Sequence, residues 1–180
     1  MINLDRYVLV CLIEGKAEKF HDGLVSSVCQ KFNKRRQKLP AHITLKAPFE
    51  TDKISEMERV LEDFTAKRIK TPIKVSGFGK FRRDVIYMDV EVSQEAKEVH
   101  DELIEELIKI PWIEFKSNEG KDKVFHCTIV SRRIQDKFKE IWDYVNEHTY
   151  VFKLYFDNLS LYKWKDNTWV LYRKFKFREQ

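Results

Sequence analysis

The chain is poor in the residues that mark fibrous, linker-like or disulfide-stabilised proteins. Five glycines and four prolines in 180 residues exclude a collagen-like repeat and a flexible linker. The three cysteines (Cys11, Cys29 and Cys127) are an odd number without the spacing of a metal site, so we expect reduced thiols in a cytoplasmic protein. The longest uncharged apolar run, Tyr7–Ile13, is much shorter than the ~20 residues that cross a bilayer. We therefore predict neither a membrane span nor a signal peptide.

Apolar and charged side chains are abundant instead. Hydrophobic residues make up 43% of the chain and charged residues 35%, a balance that is typical of a folded globular protein. At about 150 residues per domain, the length predicts one domain or two small fused lobes. A chain of this length buries enough surface to fold without a disulfide or a metal ion.

Positive charge is concentrated in one short segment. The formal net charge is +5, and five of the eight residues in Lys31–Lys38 are basic. Such a cluster can attract a polyanion, or it can lie at the solvated end of a helix, where the macrodipole favours cations. Charge alone does not decide between these alternatives.

The hydrophobic pattern switches repeatedly between the period of a strand and that of a helix. It predicts strands at 6–13, 42–47, 73–81, 85–92, 124–131, 151–156, 159–164 and 169–177, and helices at 16–36, 53–70, 94–110 and 135–148. The order in the first half recurs in the second at an offset of roughly eighty residues, with the strand at 73 matched to that at 151. This predicts two α+β lobes that face each other, with approximate halves 1–82 and 83–180. The alternative is a chance alternation of helices and strands.

Two His-x-Thr triplets fall at matching places in this apparent repeat. They are His42-Ile43-Thr44 and His126-Cys127-Thr128, each within a predicted strand. Residues i and i+2 of a strand share a face, so each triplet presents an imidazole and a hydroxyl together. Two such pairs on one cleft can supply a general acid, a general base and two hydroxyl donors to a phosphate. We therefore predict phosphodiester cleavage, with two structural histidines as the alternative.

A metal site is the other chemistry that two histidines suggest. Zinc takes three or four protein ligands, and no carboxylate or cysteine is placed with both triplets. We predict neither a metal ion nor another cofactor.

The two strands HITLKAPF (42–49) and HCTIVS (126–131) resemble the paired His-x-Thr/Ser motifs of the 2H phosphoesterase superfamily. The closest resemblance is to its bacterial 2′-5′ RNA ligase-like branch. The resemblance implies an α+β, bilobal fold of two pseudo-symmetric lobes, each with a mainly antiparallel sheet and outer helices around a central cleft. It also implies metal-independent action on 2′,3′-cyclic phosphates or 2′-5′ linkages in RNA. His42 and His126 would be the acid and base, and Thr44 and Thr128 the phosphate donors.

Two further cations are candidate substrate-binding residues. The i+2 rule puts Lys46 on the face of Thr44, where it either neutralises a phosphate or reaches solvent at the cleft edge. Related proteins that act on RNA ends often have a basic residue five positions after the second histidine, where this chain has Ser131. Arg132, the next residue, takes that role if the strand continues so far.

The remaining histidines and several aromatic residues have no such pairing. His21, His100 and His148 lie on predicted helices, and we assign them to surface or helix-end positions. Aromatic residues near strand ends either stack on bases or belong to the core; they are Phe49, Phe78, Phe81, Tyr87, Tyr162 and Trp164.

These features predict a monomeric enzyme that opens 2′,3′-cyclic phosphates on RNA ends or small nucleotides. Ligation would be the same chemistry with a 5′-hydroxyl in place of water, and the sequence does not separate the two directions. The alternative function is a non-catalytic protein that binds RNA ends or nucleotides in the same cleft.

Overall fold

The computed structural model describes all 180 residues and contains eight strands and four α-helices. In chain order they are β1 (Asp5–Leu12), α1 (Lys16–Phe32), β2 (His42–Thr51), α2 (Ile54–Ala66), β3 (Thr71–Phe81), β4 (Val85–Val92), α3 (Gln94–Ile108), β5 (His126–Ser131), α4 (Phe138–Val145), β6 (Val151–Phe156), β7 (Asn158–Lys165) and β8 (Thr168–Lys176). A short 3-10 turn, Gln135–Lys137, precedes α4. The predicted order of elements is confirmed, with ends that differ by a few residues.

The strands form two four-stranded sheets. The first sheet has the order β2-β1-β7-β8 and the second has the order β5-β4-β3-β6, and every strand pair is antiparallel. Each sheet carries one motif strand, β2 or β5, at an edge. The predicted α+β fold with two similar lobes is confirmed.

The two sheets do not coincide with the halves 1–82 and 83–180 of the chain. β3 comes from the first half but lies in the second sheet, between β4 and β6, whereas β7 and β8 return to the first sheet. The match of β3 to β6 was therefore wrong, because the two strands are neighbours in one sheet. β3 joins the second sheet because only Arg82–Asp84 separates it from β4, and strands joined by such a short turn pair as a hairpin.

Helix α1 ends earlier than its apolar pattern predicts. Asn33 adopts a left-handed conformation (φ 53°) and terminates the helix, a role that asparagine tolerates well. Lys31 therefore lies in the last turn of α1, and the rest of the basic segment, residues 33–38, follows as a loop. Lys34 donates hydrogen bonds to the Arg133 carbonyl (2.7 Å) and to Asp136 (2.6 Å), so part of its charge is already neutralised within the protein.

The main core fills the space between the sheets and the helices that cover them. A second, small cluster of Val8, Val10 and Tyr162 lies on the opposite face of the first sheet. Val10 is the register partner of Thr44, so this second face is the one that carries the first motif.

The three cysteines are unpaired, and none of the helices combines the length and the hydrophobicity that a membrane crossing requires.

Candidate active site

The two motif strands contact each other where the two sheets meet. His42 and Thr44 lie opposite Leu12 and Val10 of β1, which fixes their common face on the first sheet. β2 also packs against β5, the strand that carries the second triplet. The structure thus brings the two triplets together at one junction.

Both imidazoles are held in the same way. Nδ1 of His42 donates to the Pro40 carbonyl (2.7 Å), and Nδ1 of His126 donates to the Val124 carbonyl (2.8 Å). In each case the acceptor is the residue two positions earlier. Because a carbonyl can only accept, the proton is on Nδ1 and the lone pair is on Nε2 when the ring is neutral. Each Nε2 is therefore free to exchange a proton with a substrate.

Burial keeps both imidazoles neutral. It lowers the pKa of His42 to about 4, although the hydrogen bond to Pro40 opposes the shift. Repulsion from His21 and His126, when these are protonated, and from the charge of Lys123 lowers the pKa of His42 further. Burial also lowers the pKa of His126, and the charge of Lys123 adds to that effect. At neutral pH both rings can act as bases, and an anionic ligand is needed to make one of them an acid.

Aromatic rings surround His126 but not His42. The rings of Phe81 and Tyr87 lie 4.9 and 5.1 Å from the His126 ring, measured between centroids. Tyr87 crosses the neighbouring strand at Gly79, where a methyl group would lie 2.5 Å from its Cζ. Two of the aromatic residues considered for base stacking thus pack against a candidate catalytic histidine.

Lys46 does not share the face of Thr44, and this corrects the prediction made from the i+2 rule. The register shifts between Leu9 and Val10, so Thr44 lies opposite Val10 but Lys46 lies opposite the core residue Leu9. Lys46 is 4% exposed and forms an ion pair with Glu119 (3.1 Å). It neither reaches solvent nor has an unpaired charge to offer a phosphate.

Arg132 also departs from the face predicted for it. Strand β5 ends at Ser131, and Arg132 and Arg133 both adopt left-handed backbone conformations (φ 64° and 53°). The alternation of side chains therefore stops before Arg132, whose side chain is exposed.

Two histidines assigned to the surface are instead buried. His21 is 3% exposed and His100 is fully buried, whereas His148 lies at the end of α4 as predicted. Nε2 of His21 donates to the carbonyl of Thr128 (2.8 Å), and Gln37 donates to the same oxygen (2.8 Å). His21 thereby ties helix α1 to the second motif. Its sequence signal was the helical spacing from the buried residues Ala17, Leu24 and Val28.

The kind of ligand that the site can bind follows from its side chains. The structure contains no group of three or more His, Cys, Asp or Glu side chains that could hold a metal ion. What the site offers is two imidazoles with free Nε2 atoms, two hydroxyls and nearby positive charge, a set that suits an oxyanion such as a phosphate.

Comparisons with known proteins show the family to which the chain is similar. A family model described as the 2′-5′ RNA ligase superfamily matches residues 14–168. A protein of Geobacillus sp. (strain WCH70), whose name assigns it to the phosphoesterases, is 25% identical over 157 residues, 83% of this chain and 86% of that protein. A similarly named protein of Bacillus licheniformis is 22% identical over 167 residues, 88% of this chain and 92% of that protein.

Solved structures show the same fold. Crystal structures of E. coli LigT with ATP and of a phosphoesterase give TM-scores of 0.61 and 0.64 at 11% and 10% identity. Each covers 98% of this chain and 99% of the other. The resemblance predicted from the two motifs is confirmed. Because the family model spans most of the sequence, the chain belongs to the 2′-5′ RNA ligase superfamily.

Proposed function

We propose that the protein is a metal-independent phosphoesterase that opens 2′,3′-cyclic phosphates on RNA ends or nucleotides. The observation that carries this proposal is the matched state of two imidazoles on contacting strands, each with Nδ1 fixed by a carbonyl and Nε2 free. This arrangement suits a reaction that needs one proton acceptor and one proton donor on opposite sides of a phosphorus atom.

The two histidines divide the proton transfers. One Nε2 accepts a proton from water as the water oxygen forms a bond to phosphorus. The other imidazole, protonated once the anionic substrate is bound, gives its proton to the 2′- or 3′-oxygen as the bond from phosphorus to that oxygen breaks. The product is a phosphomonoester, and exchange with solvent restores the two protonation states. A 5′-hydroxyl in place of water gives the ligation direction.

The hydroxyls of Thr44 and Thr128 hold the charge that develops on the phosphate. Each lies two residues after its histidine on the same strand face, where it can donate to a non-bridging oxygen. The His21 and Gln37 donors on the Thr128 carbonyl fix the backbone that carries the second hydroxyl.

A nucleotide substrate is supported by related structures. E. coli LigT has been crystallised with ATP and with 3′-AMP, and its fold matches this chain with TM-scores of 0.61 and 0.58. One chain supplies both triplets, so we propose that it acts as a monomer.

The test is incubation with 2′,3′-cyclic mononucleotides and with oligonucleotides that end in a cyclic phosphate, in the presence of excess EDTA. We expect opening to a monoester with EDTA present, and loss of activity in His42→Asn and His126→Asn. Activity that disappears on chelation and returns with added metal would contradict the mechanism. Tight binding of these ligands without turnover would instead establish a nucleotide-binding protein.

A further inference from the structure

Lys123 is a partly buried lysine without a partner. It lies in the loop between α3 and β5, and no carboxylate comes within ion-pair distance of its ammonium group. Lys121 of the same loop is exposed and is paired with Glu105 (2.5 Å). An unpaired cation that is partly removed from water is costly, so the position of Lys123 calls for an explanation.

The loop carries Lys123 from one motif to the other. Glu119 accepts a hydrogen bond from the backbone N–H of Ala47 (3.0 Å), which anchors the loop on the first motif strand. The backbone N–H of Lys123 donates to Gly120 (3.3 Å), and His126 follows three residues later as the first residue of β5. Lys123 therefore lies between the residue that contacts the first motif strand, Glu119, and the start of the second motif strand, β5.

Glu119 is the carboxylate whose charge acts on Lys123, but it already has other hydrogen-bond partners. Its two carboxylate oxygens accept hydrogen bonds from the Lys46 ammonium (3.2 and 3.1 Å), from Ala47 N–H (3.0 Å) and from Lys116 N–H (2.9 Å). The Lys46–Glu119 pair is almost neutral as a unit. The charge of Lys123 is left uncompensated.

The uncompensated charge of Lys123 affects the pKa values of neighbouring groups. Burial lowers the pKa of Lys123 to about 8, an effect that Glu119 opposes and Lys46 reinforces. Lys123 in turn lowers the pKa of both motif histidines and of the buried His100. The charge of Lys123 thus acts on both imidazoles.

We propose that Lys123 is the cation of the cleft and binds the substrate phosphate between His42 and His126, a role that rests on the proposed function. The phosphate supplies the partner that the ammonium lacks, and the ammonium donates to a non-bridging oxygen beside the threonine hydroxyls. This is the role that the sequence assigned to Lys46 and Arg132, which the structure places elsewhere.

Binding of inorganic phosphate to the whole protein, measured by calorimetry, is the first test. Lys123→Met removes the charge and nearly keeps the length of the side chain, whereas Lys121→Met removes a charge from the same loop outside the cleft. We expect Lys123→Met to weaken binding about 10- to 100-fold, the range for a hydrogen bond to a charged group, and Lys121→Met to leave it unchanged. Unchanged binding in Lys123→Met overturns the proposal.

The imidazole titrations provide a readout that a purely structural role would not move. In the free protein, NMR titration of Lys123→Met should give higher pKa values for both His42 and His126, because a neighbouring positive charge has been removed. Lys121→Met should give the wild-type values. If neither histidine shifts in Lys123→Met, the charge does not act on the cleft and the proposal fails.

A third measurement needs no variant and applies if Lys123→Met does not fold. Reductive methylation of the wild-type protein, followed by peptide mass spectrometry, should be slowed at Lys123 by inorganic phosphate but not at Lys121. Equal methylation of Lys123 with and without phosphate overturns the proposal. All three measurements are independent of turnover, so a protein that opens no cyclic phosphate would end the proposed function without deciding the role of Lys123.

Discussion

The two halves of the site share one motif but differ in their surroundings. His42 is 6% exposed and its ring is fixed at the junction of the sheets, whereas His126 is partly exposed and lies between the aromatic rings of Phe81 and Tyr87. The hydrogen bond that sets the tautomer is nevertheless the same in both. The two histidines thus have the same tautomer, although the residues around their rings differ.

The charges next to the two motifs differ as well. The lysine that follows the first histidine, Lys46, is neutralised by Glu119, whereas the lysine that precedes the second, Lys123, is not. Lys123 lowers the pKa of both histidines, so the inequality that would suit one base and one acid comes from their unequal burial and not from this charge.

Removal of either imidazole should have the largest effect. General acid or base assistance is worth about 10²–10⁴-fold, so we expect His42→Ala and His126→Ala each to lower kcat/KM on a cyclic-phosphate substrate by that range. Because the two residues act as a unit, the double variant should be little worse than either single one. Near-wild-type activity in one single variant would show that the two halves are not both catalytic.

The sequence predicted the motif residues because strand alternation is a strong and local rule. The helix and strand order followed from the same kind of local periodicity. It failed at Lys46 because a register shift depends on how β1 and β2 pair, and it failed at Arg132 because the strand had already ended. Neither event has a signal in the spacing of residues.

The contributions from distant segments were also beyond the sequence. His21 reaches the second motif strand only because α1 packs against it, and the loop before β5 contacts the first motif strand through Glu119 and Ala47. The sequence also did not reveal that β3 joins the second sheet and that β7 and β8 join the first. The order of elements along the chain is the same whether or not strands cross from one sheet to the other. Such tertiary contacts must be read from the structure.

Loss of a motif hydroxyl should have the next largest effect. Thr44→Ala and Thr128→Ala each remove one donor to the developing charge, which is worth roughly 10- to 10³-fold in kcat. Serine at either position keeps the hydroxyl and is the matched control. Kinetics of the four variants on one substrate would show whether the two halves contribute equally, and a similar loss in the serine and alanine variants would argue against a hydroxyl role.

The difference in burial should be visible in the acid stability of the protein. The folded pKa of His42, about 4, is below its unfolded value of 6.5, so above pH 6.5 both states are neutral and the group contributes nothing. As the pH falls from 6.5 to 4, only the unfolded state gains the proton, and the free energy of unfolding decreases by up to about 3 kcal/mol.

Urea unfolding at several pH values in this window measures the decrease. His42→Asn should flatten the pH dependence more than His126→Asn, because His126 is more exposed; His21 and His100 contribute equally to both variants. Equal slopes in the two variants would show that the histidines are equally buried in solution.

The smallest effect should come from Gly79, and it should be confined to the second half of the site. An alanine methyl would lie 2.5 Å from Cζ of Tyr87, so the ring must move and with it one wall around His126. Overpacking of this kind costs about 1–3 kcal/mol, and we expect roughly a tenfold loss of activity, the equivalent of about 1.4 kcal/mol in the barrier. Gly23→Ala, on α1 with nothing within 4 Å of the new methyl, is the matched control and should leave activity unchanged.

The interpretation depends on which imidazole responds. In Gly79→Ala the NMR signal and pKa of His126 should change while those of His42 stay at their wild-type values, because no aromatic ring links Gly79 to the first motif. If the clash with the Tyr87 ring is the cause, Gly79→Ala should have little further effect in a Tyr87→Ala background, since the ring that the new methyl group would clash with is then absent. A shift of both histidines in Gly79→Ala would mean that the two halves are mechanically coupled, and the asymmetry between them would then be a property of the whole cleft rather than of the second sheet.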